Sequence, residues 1–193
     1  MRTISKSLLG AFLIVGSIAL VGCKGKKQEE TKIKGEKEIT MHCFGSDFFS
    51  TKTKLRSSGL GESMDRMTAL KKARNEAKTA LAGTIETRIK ATIDNYVNSR
   101  EMNNKEQVEE RFEGLSREVI DQKLSNVKTI CEKMTQKEDG KYVAYLAVEM
   151  KAGDLLEAIN DRITKEETLR VDYDYEKFKE TFDKEMEKLE KGL

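Results

Sequence analysis

Between Met67 and Tyr96 the residues Met67, Leu70, Ala73, Ala77, Leu81, Ile85, Ile89, Ile93 and Tyr96 recur at steps of three and four, and no Pro occurs anywhere in the chain. That is the helical period, so the segment from Met64 onward is expected to form one helix of about 33 residues, roughly 50 Å long. Ser63 is the expected N-cap, with Asp65 near the positive helix end. The first half of the stripe is small-sided, with Ala69, Ala73, Ala77, Ala80 and Ala82, so another element can approach it closely. A helix longer than a small domain is wide is expected to project at its end or to kink near Gly83.

The partners of this helix follow from the flanking patterns. Ser50 to Leu60 alternates like a strand and runs into Gly59-Leu60-Gly61, read as a tight turn. Beyond a polar break at 98–104, Val108, Phe112, Leu115, Val119 and Ile120 give a second amphipathic helix ending near Leu124. Val127 to Thr135 and Tyr142 to Met150 read as two strands of a hairpin around Asp139-Gly140, the second apolar on both faces and therefore central. A third helix is expected from about Asp154 to Ile163 and a last one from about Asp174 to Lys191. The predicted class is α+β: a small antiparallel sheet packed against one long helix, with extra helices including a C-terminal amphipathic helix.

The N-terminus is of a different kind. After Arg2 and Lys6, the segment Ser7 to Gly22 carries no charge, and at about 16 residues it is marginal for a permanent membrane span. It ends at Leu20-Val21-Gly22-Cys23, which resembles a bacterial lipobox. That resemblance implies a signal peptide over 1–22, cleavage before Cys23, and a Cys23 carrying a thioether lipid and an acylated amine. A membrane-anchored helix with an incidental cysteine is the alternative. Residues 24–40 carry ten charges in seventeen positions and read as a solvated tether, so 23–40 is the anchor and tether. Six Lys against four Glu there would also favour anionic head groups. The α+β domain is then expected over 41–165 and the C-terminal helix over 166–193.

Removing 1–22 removes two basic residues and no acid, leaving 34 basic against 34 acidic residues. A balanced chain lacks the basic excess that nucleic-acid binding requires, so no nucleic-acid partner is expected.

Catalytic parts are few. His42 is the single histidine, which leaves histidine metal sites and most nucleophile–base pairs without members. His42-Cys43, read as adjacent strand residues, point to opposite sides. Glu109-Glu110 and Glu166-Glu167 read as solvated helix faces, and Gly59-x-Gly61 lacks the rest of a phosphate loop. No catalytic residue, metal ligand or cofactor is assigned. With Cys23 lipidated, two thiols remain in an oxidising compartment, so Cys43 and Cys131 are expected to pair; two buried free thiols are the rival.

The stretch Arg56-Ser-Ser-Gly-Leu-Gly-Glu-Ser-Met64, then Ala69, Lys72-Ala73-Arg74, Ala77 and Ala80-Leu81-Ala82, then Gly140-Lys-Tyr-Val-Ala-Tyr-Leu-Ala-Val148, resembles the LPP-twenty family of bacterial outer-membrane lipoproteins. The likeness covers about residues 50–160. Phe112-Glu-Gly-Leu115 and the helix beyond 172 look more like the versions carried by gut Bacteroidetes. The resemblance implies a dodecin-like arrangement, an outer-membrane location and a structural or binding role, and it carries over no catalytic residues.

The resulting expectation is a non-enzymatic envelope lipoprotein held at the outer membrane by Cys23. The alternative is a small-ligand carrier or enzyme with a pocket between sheet and long helix, using Tyr142, Tyr145 and nearby carboxylates. The terminal helix presents Phe178, Phe182, Met186 and Leu189 as one narrow stripe, which either packs back onto the long helix or binds a protein partner or a second copy.

Overall fold

The computed structural model describes residues 39–100 and 105–192. The expected signal peptide, Cys23 and the tether up to residue 38 lie outside the described residues. From Ile39 onward the chain forms one unit, to which the C-terminal helix belongs.

After a single 3-10 turn at Ser46–Phe48 come β1 (Lys54–Ser63), α1 (Arg66–Asn98), α2 (Lys105–Ser125), β2 (Lys128–Gln136), β3 (Tyr142–Lys151), α3 (Ala152–Ile163), a one-turn α4 (Glu167–Arg170) and α5 (Tyr175–Glu190). The sheet is antiparallel in the order β1-β3-β2, so β3 is central. This is the α+β architecture that the periodicities predict, with α1 packed along one face of the sheet. The 3-10 turn and α4 were not foreseen, because each is shorter than the window over which periodicity accumulates.

Two local expectations are corrected at the β1–α1 junction. Gly59 and Gly61 lie inside β1, not in a turn, paired with Leu146 and Ala144. A Cβ on Gly59 would overlap the Ala73 carbonyl oxygen and the Ala77 amide nitrogen, and one on Gly61 would overlap the Ala69 carbonyl. The glycines therefore bring strand backbone onto helix backbone, over the fully buried Ala69, Ala73 and Ala77. The N-cap is Asp65, not Ser63: Thr68 donates to Asp65 Oδ1 through both its amide and its hydroxyl, each at 2.7 Å. Ser63 is still paired with Tyr142 in the sheet, so its backbone is not yet available to start the helix.

The helix neither projects nor breaks at Gly83. Its second half buries Leu81, Ile85, Ile89, Ile93, Tyr96 and Val97 against α2 and α5. The stripe begins at Ala69, and Met67, expected within it, is exposed.

The hairpin turn follows its Asp-Gly signal. Gly140 takes φ 83°, its amide donates to the Lys137 carbonyl at 3.0 Å, and the Lys141 amide donates to Asp139 Oδ1 at 3.1 Å. Lys137 and Lys141 both reach Glu62, tying the turn to β1. Among the described residues no helix is long and apolar enough to cross a membrane.

Candidate functional site

The face of the sheet turned away from α1 carries Arg56, Ser58 and Leu60 of β1, Val143, Tyr145 and Ala147 of β3, and Cys131 and Lys133 of β2. The segment from Met41 to Ser50 lies across it as a strap. Cys43 is disulfide-bonded to Cys131, their Cα atoms 5.5 Å apart, within the normal range for the bond. Ser58 Oγ donates to the Cys43 carbonyl at 2.6 Å, Arg56 Nη1 donates to the Asp47 carbonyl at 3.0 Å, and the His42 ring meets Tyr145 edge-on at 5.5 Å. The strap thus contacts all three strands. His42 and Cys43 sit in a turn, with Cys43 at φ 59°, so the strand alternation invoked for them does not apply. What removes Cys43 as a nucleophile is its bond to Cys131.

The terminal-helix stripe is corrected as a partner site. Phe178, Phe182 and Met186 are at most 1% exposed, and Leu189 packs half-buried beside them, because α5 lies against α1 and α3. Burying each of the three is worth about 1.5–3 kcal/mol, so the stripe closes the protein's own core and offers no surface to a partner. Phe178 joins Tyr96, Phe112 and Tyr173 in a cluster of rings with centroids 5.4–6.3 Å apart. The Tyr96 hydroxyl accepts from the Asp174 amide at 2.8 Å, which ties the start of α5 to α1. Tyr173 has a buried hydroxyl without a hydrogen-bond partner among the described residues, and burial raises its pKa far above the ordinary tyrosine value.

Glu185, a charged residue beside the α5 stripe, is buried. It accepts from Asn95 Nδ2 at 3.2 Å, lies 3.7 Å from Arg88, and pairs with Lys188. The signal was its position three residues after Phe182 and directly before Met186, which turns it partly toward α1.

The parts of the carrier or enzyme alternative do not converge. Tyr142 shares the α1 side of β3 with Ala144 and Leu146, whereas Tyr145 lies under the strap, on the opposite face. Between β1 and α1 the backbones touch under Gly59 and Gly61, and the clefts among the described residues are open surface grooves, including those between α1 and α2, between α1 and α5, and along the outer edge of β1. One of about 290 Å³ separates α1 from α2, rimmed by the Lys90–Glu113 ion pair at 2.7 Å. Glu166 is paired with Arg111 at 3.3 Å, and no three His, Cys, Asp or Glu converge on a metal-sized site among the described residues.

A groove of about 650 Å³ runs along the outer edge of β1, between Leu60 to Glu62 and the α1 flank of Lys72, Asn75, Glu76 and Thr79. Its wall includes unpaired strand backbone. Comparison with family models, with curated proteins and with solved structures finds no match to this chain.

Proposed function

We propose that the chain is a non-catalytic bacterial lipoprotein of the LPP-twenty type, held at the outer membrane by a lipidated Cys23, with a structural or binding role in the envelope. The observation that carries this reading is Leu20-Val21-Gly22-Cys23 at the end of an uncharged run and directly before Lys24-Gly-Lys-Lys27. Several acyl chains on one cysteine give stable anchoring where a single chain does not. The disulfide adds support, since such bonds persist in oxidising compartments and are rare in the cytosol.

The test is expression of the full chain in a bacterial host with labelled palmitate, read by intact mass. The expected product begins at Cys23, carries label and partitions with membranes. Cys23→Ser should lose the label and either stay uncleaved or become soluble. An unlabelled wild-type product, or a cleaved Cys23→Ser product that still partitions with membranes, overturns the reading.

A further inference from the structure

Backbone groups on the outer edge of β1 are only partly satisfied. In an antiparallel ladder the N–H and C=O of alternate residues point to the same edge. At the start of β1 that edge is covered by the chain itself: Lys54 exchanges hydrogen bonds with Thr51, and Ser50 Oγ bridges the amide and carbonyl of Arg56. At the far end, the Glu62 carbonyl accepts from Lys72 Nζ at 3.0 Å. The intervening groups of the same parity belong to Ser58 and Leu60, and their N–H and C=O find no partner among the described residues. The other edge strand, β2, is protected by an irregular register at Ile130 and by Lys128 and Lys133. The middle of β1 reads Ser58-Gly-Leu-Gly61, with no charge, bulge or proline to deter pairing.

We infer that the Ser58–Glu62 edge of β1 is a β-augmentation site, which takes an extended peptide into the groove between β1 and α1. The inference deepens the binding role proposed above and rests on it. A second copy of this chain does not fit. Strand-to-strand pairing would place two β1 strands about 4.8 Å apart, and α1 lies directly under β1, whereas packed helices need about 8–10 Å between axes. The occupant is therefore a strand without a helix of its own beneath it.

Its chemistry follows from the groove. Glu76 flanks Gly59 and Lys72 flanks Gly61. Glu76 is exposed and makes no ion pair among the described residues. A residue paired beside Gly59 lies over Glu76 and is best basic. The one beside Gly61 lies over Lys72 and is best acidic, freeing Lys72 from the carbonyl that the added strand takes. Between them, a residue beside Leu60 faces the opposite side, where Leu60 is 37% exposed and offers an apolar contact. Read along β1 the pattern is basic, apolar, acidic; a parallel strand carries it as Lys-Val-Glu and an antiparallel one as Glu-Val-Lys.

The test uses the detergent-solubilised full chain and two fluorescein-labelled peptides with central Lys-Val-Glu-Val-Lys or Glu-Val-Glu-Val-Glu between threonines, each reading the same in both strand directions. Wild type is expected to bind the first peptide about tenfold more tightly by anisotropy, and Glu76→Lys to invert that order. Leu60→Pro removes one edge donor at a position where an edge strand tolerates proline, and should weaken binding about tenfold. If that variant does not fold, slowed amide exchange at Ser58 and Leu60 of the wild type on adding peptide supplies the same reading. The inference is overturned by absence of saturable binding up to roughly 1 mM, by binding indifferent to Glu76→Lys, or by concentration-dependent protection of Ser58 and Leu60 in the chain alone, which would make a second copy the occupant. Each of these leaves Cys23 labelling unaffected, so failure here is distinguishable from failure of the lipoprotein reading.

Discussion

Gly59 of β1 lies directly on Ala73 of α1, with no room between them for a methyl group. Gly59→Ala is expected to push strand and helix apart along their whole contact, at a cost of about 3 kcal/mol or more, in the upper range of overpacked cores. Gly83→Ala is the control. Gly83 is in the same helix with open space around its Cβ position, so the substitution should stabilise by about 0.5–1 kcal/mol. Chemical denaturation of both variants checks the pair; equal effects would refute the close-contact account.

The Cys43–Cys131 bond closes a loop with a sequence separation of 88. In the chain-entropy view its loss costs about 4–5 kcal/mol, a large share of a domain's net stability. Replacing both cysteines by Ser should lower the melting temperature strongly and abolish the effect of reductant on it. A double variant that melts like the oxidised wild type would show that the hydrogen bonds of the strap suffice without the covalent link.

Phe178 and Phe182 are fully buried in the core that α5 closes with α1. Phe178→Ala or Phe182→Ala should each cost about 3–5 kcal/mol in the isolated protein. Unfolding of the monomer at several protein concentrations measures this. Unchanged monomer stability with lost association would instead restore the stripe as a partner surface.

Acid should loosen the β1–α1 corner. Thr68's hydroxyl and then its amide hold Asp65 below the ordinary aspartate pKa, and Lys137, then Lys141, hold Glu62 below the ordinary glutamate value. Both folded pKa values are depressed, so the unfolded chain takes up protons first. The stabilisation is complete above the ordinary carboxylate range of about 4 and is lost as pH falls through the lower folded values. Melting temperatures from pH 7 down to about pH 2 should fall less steeply for Asp65→Asn with Glu62→Gln than for wild type. Salt should shrink the exposed Glu62 part, and an acid slope identical in both proteins would refute the assignment.

Elements of the fold were legible wherever a period ran long enough. Ile85, Ile89 and Ile93 at steps of four announce the buried face of α1, and Asp139-Gly140 announces the hairpin turn, because backbone geometry alone sets both signals. The Gly59-x-Gly61 pair was misread because glycine serves turns and close approach equally well. Only the alanines of α1 beneath it distinguish the two uses, and they come from another segment of the chain.

The candidate surfaces were less legible than the fold. Beyond its place beside the stripe nothing local marks Glu185 as buried, and nothing marks Leu60 as the middle of an open edge, since both depend on what packs alongside. The amino-acid sequence by itself determined the longer helices, the hairpin and the central place of β3, all consequences of spacing and composition within short windows. Tertiary structure alone decided where the terminal stripe goes, which face the strap crosses and which strand edge is left unpaired. Burial of Phe178, the meeting of Cys43 with Cys131 and the bare amides of Ser58 and Leu60 depend on distances between residues far apart in sequence, which no local period encodes.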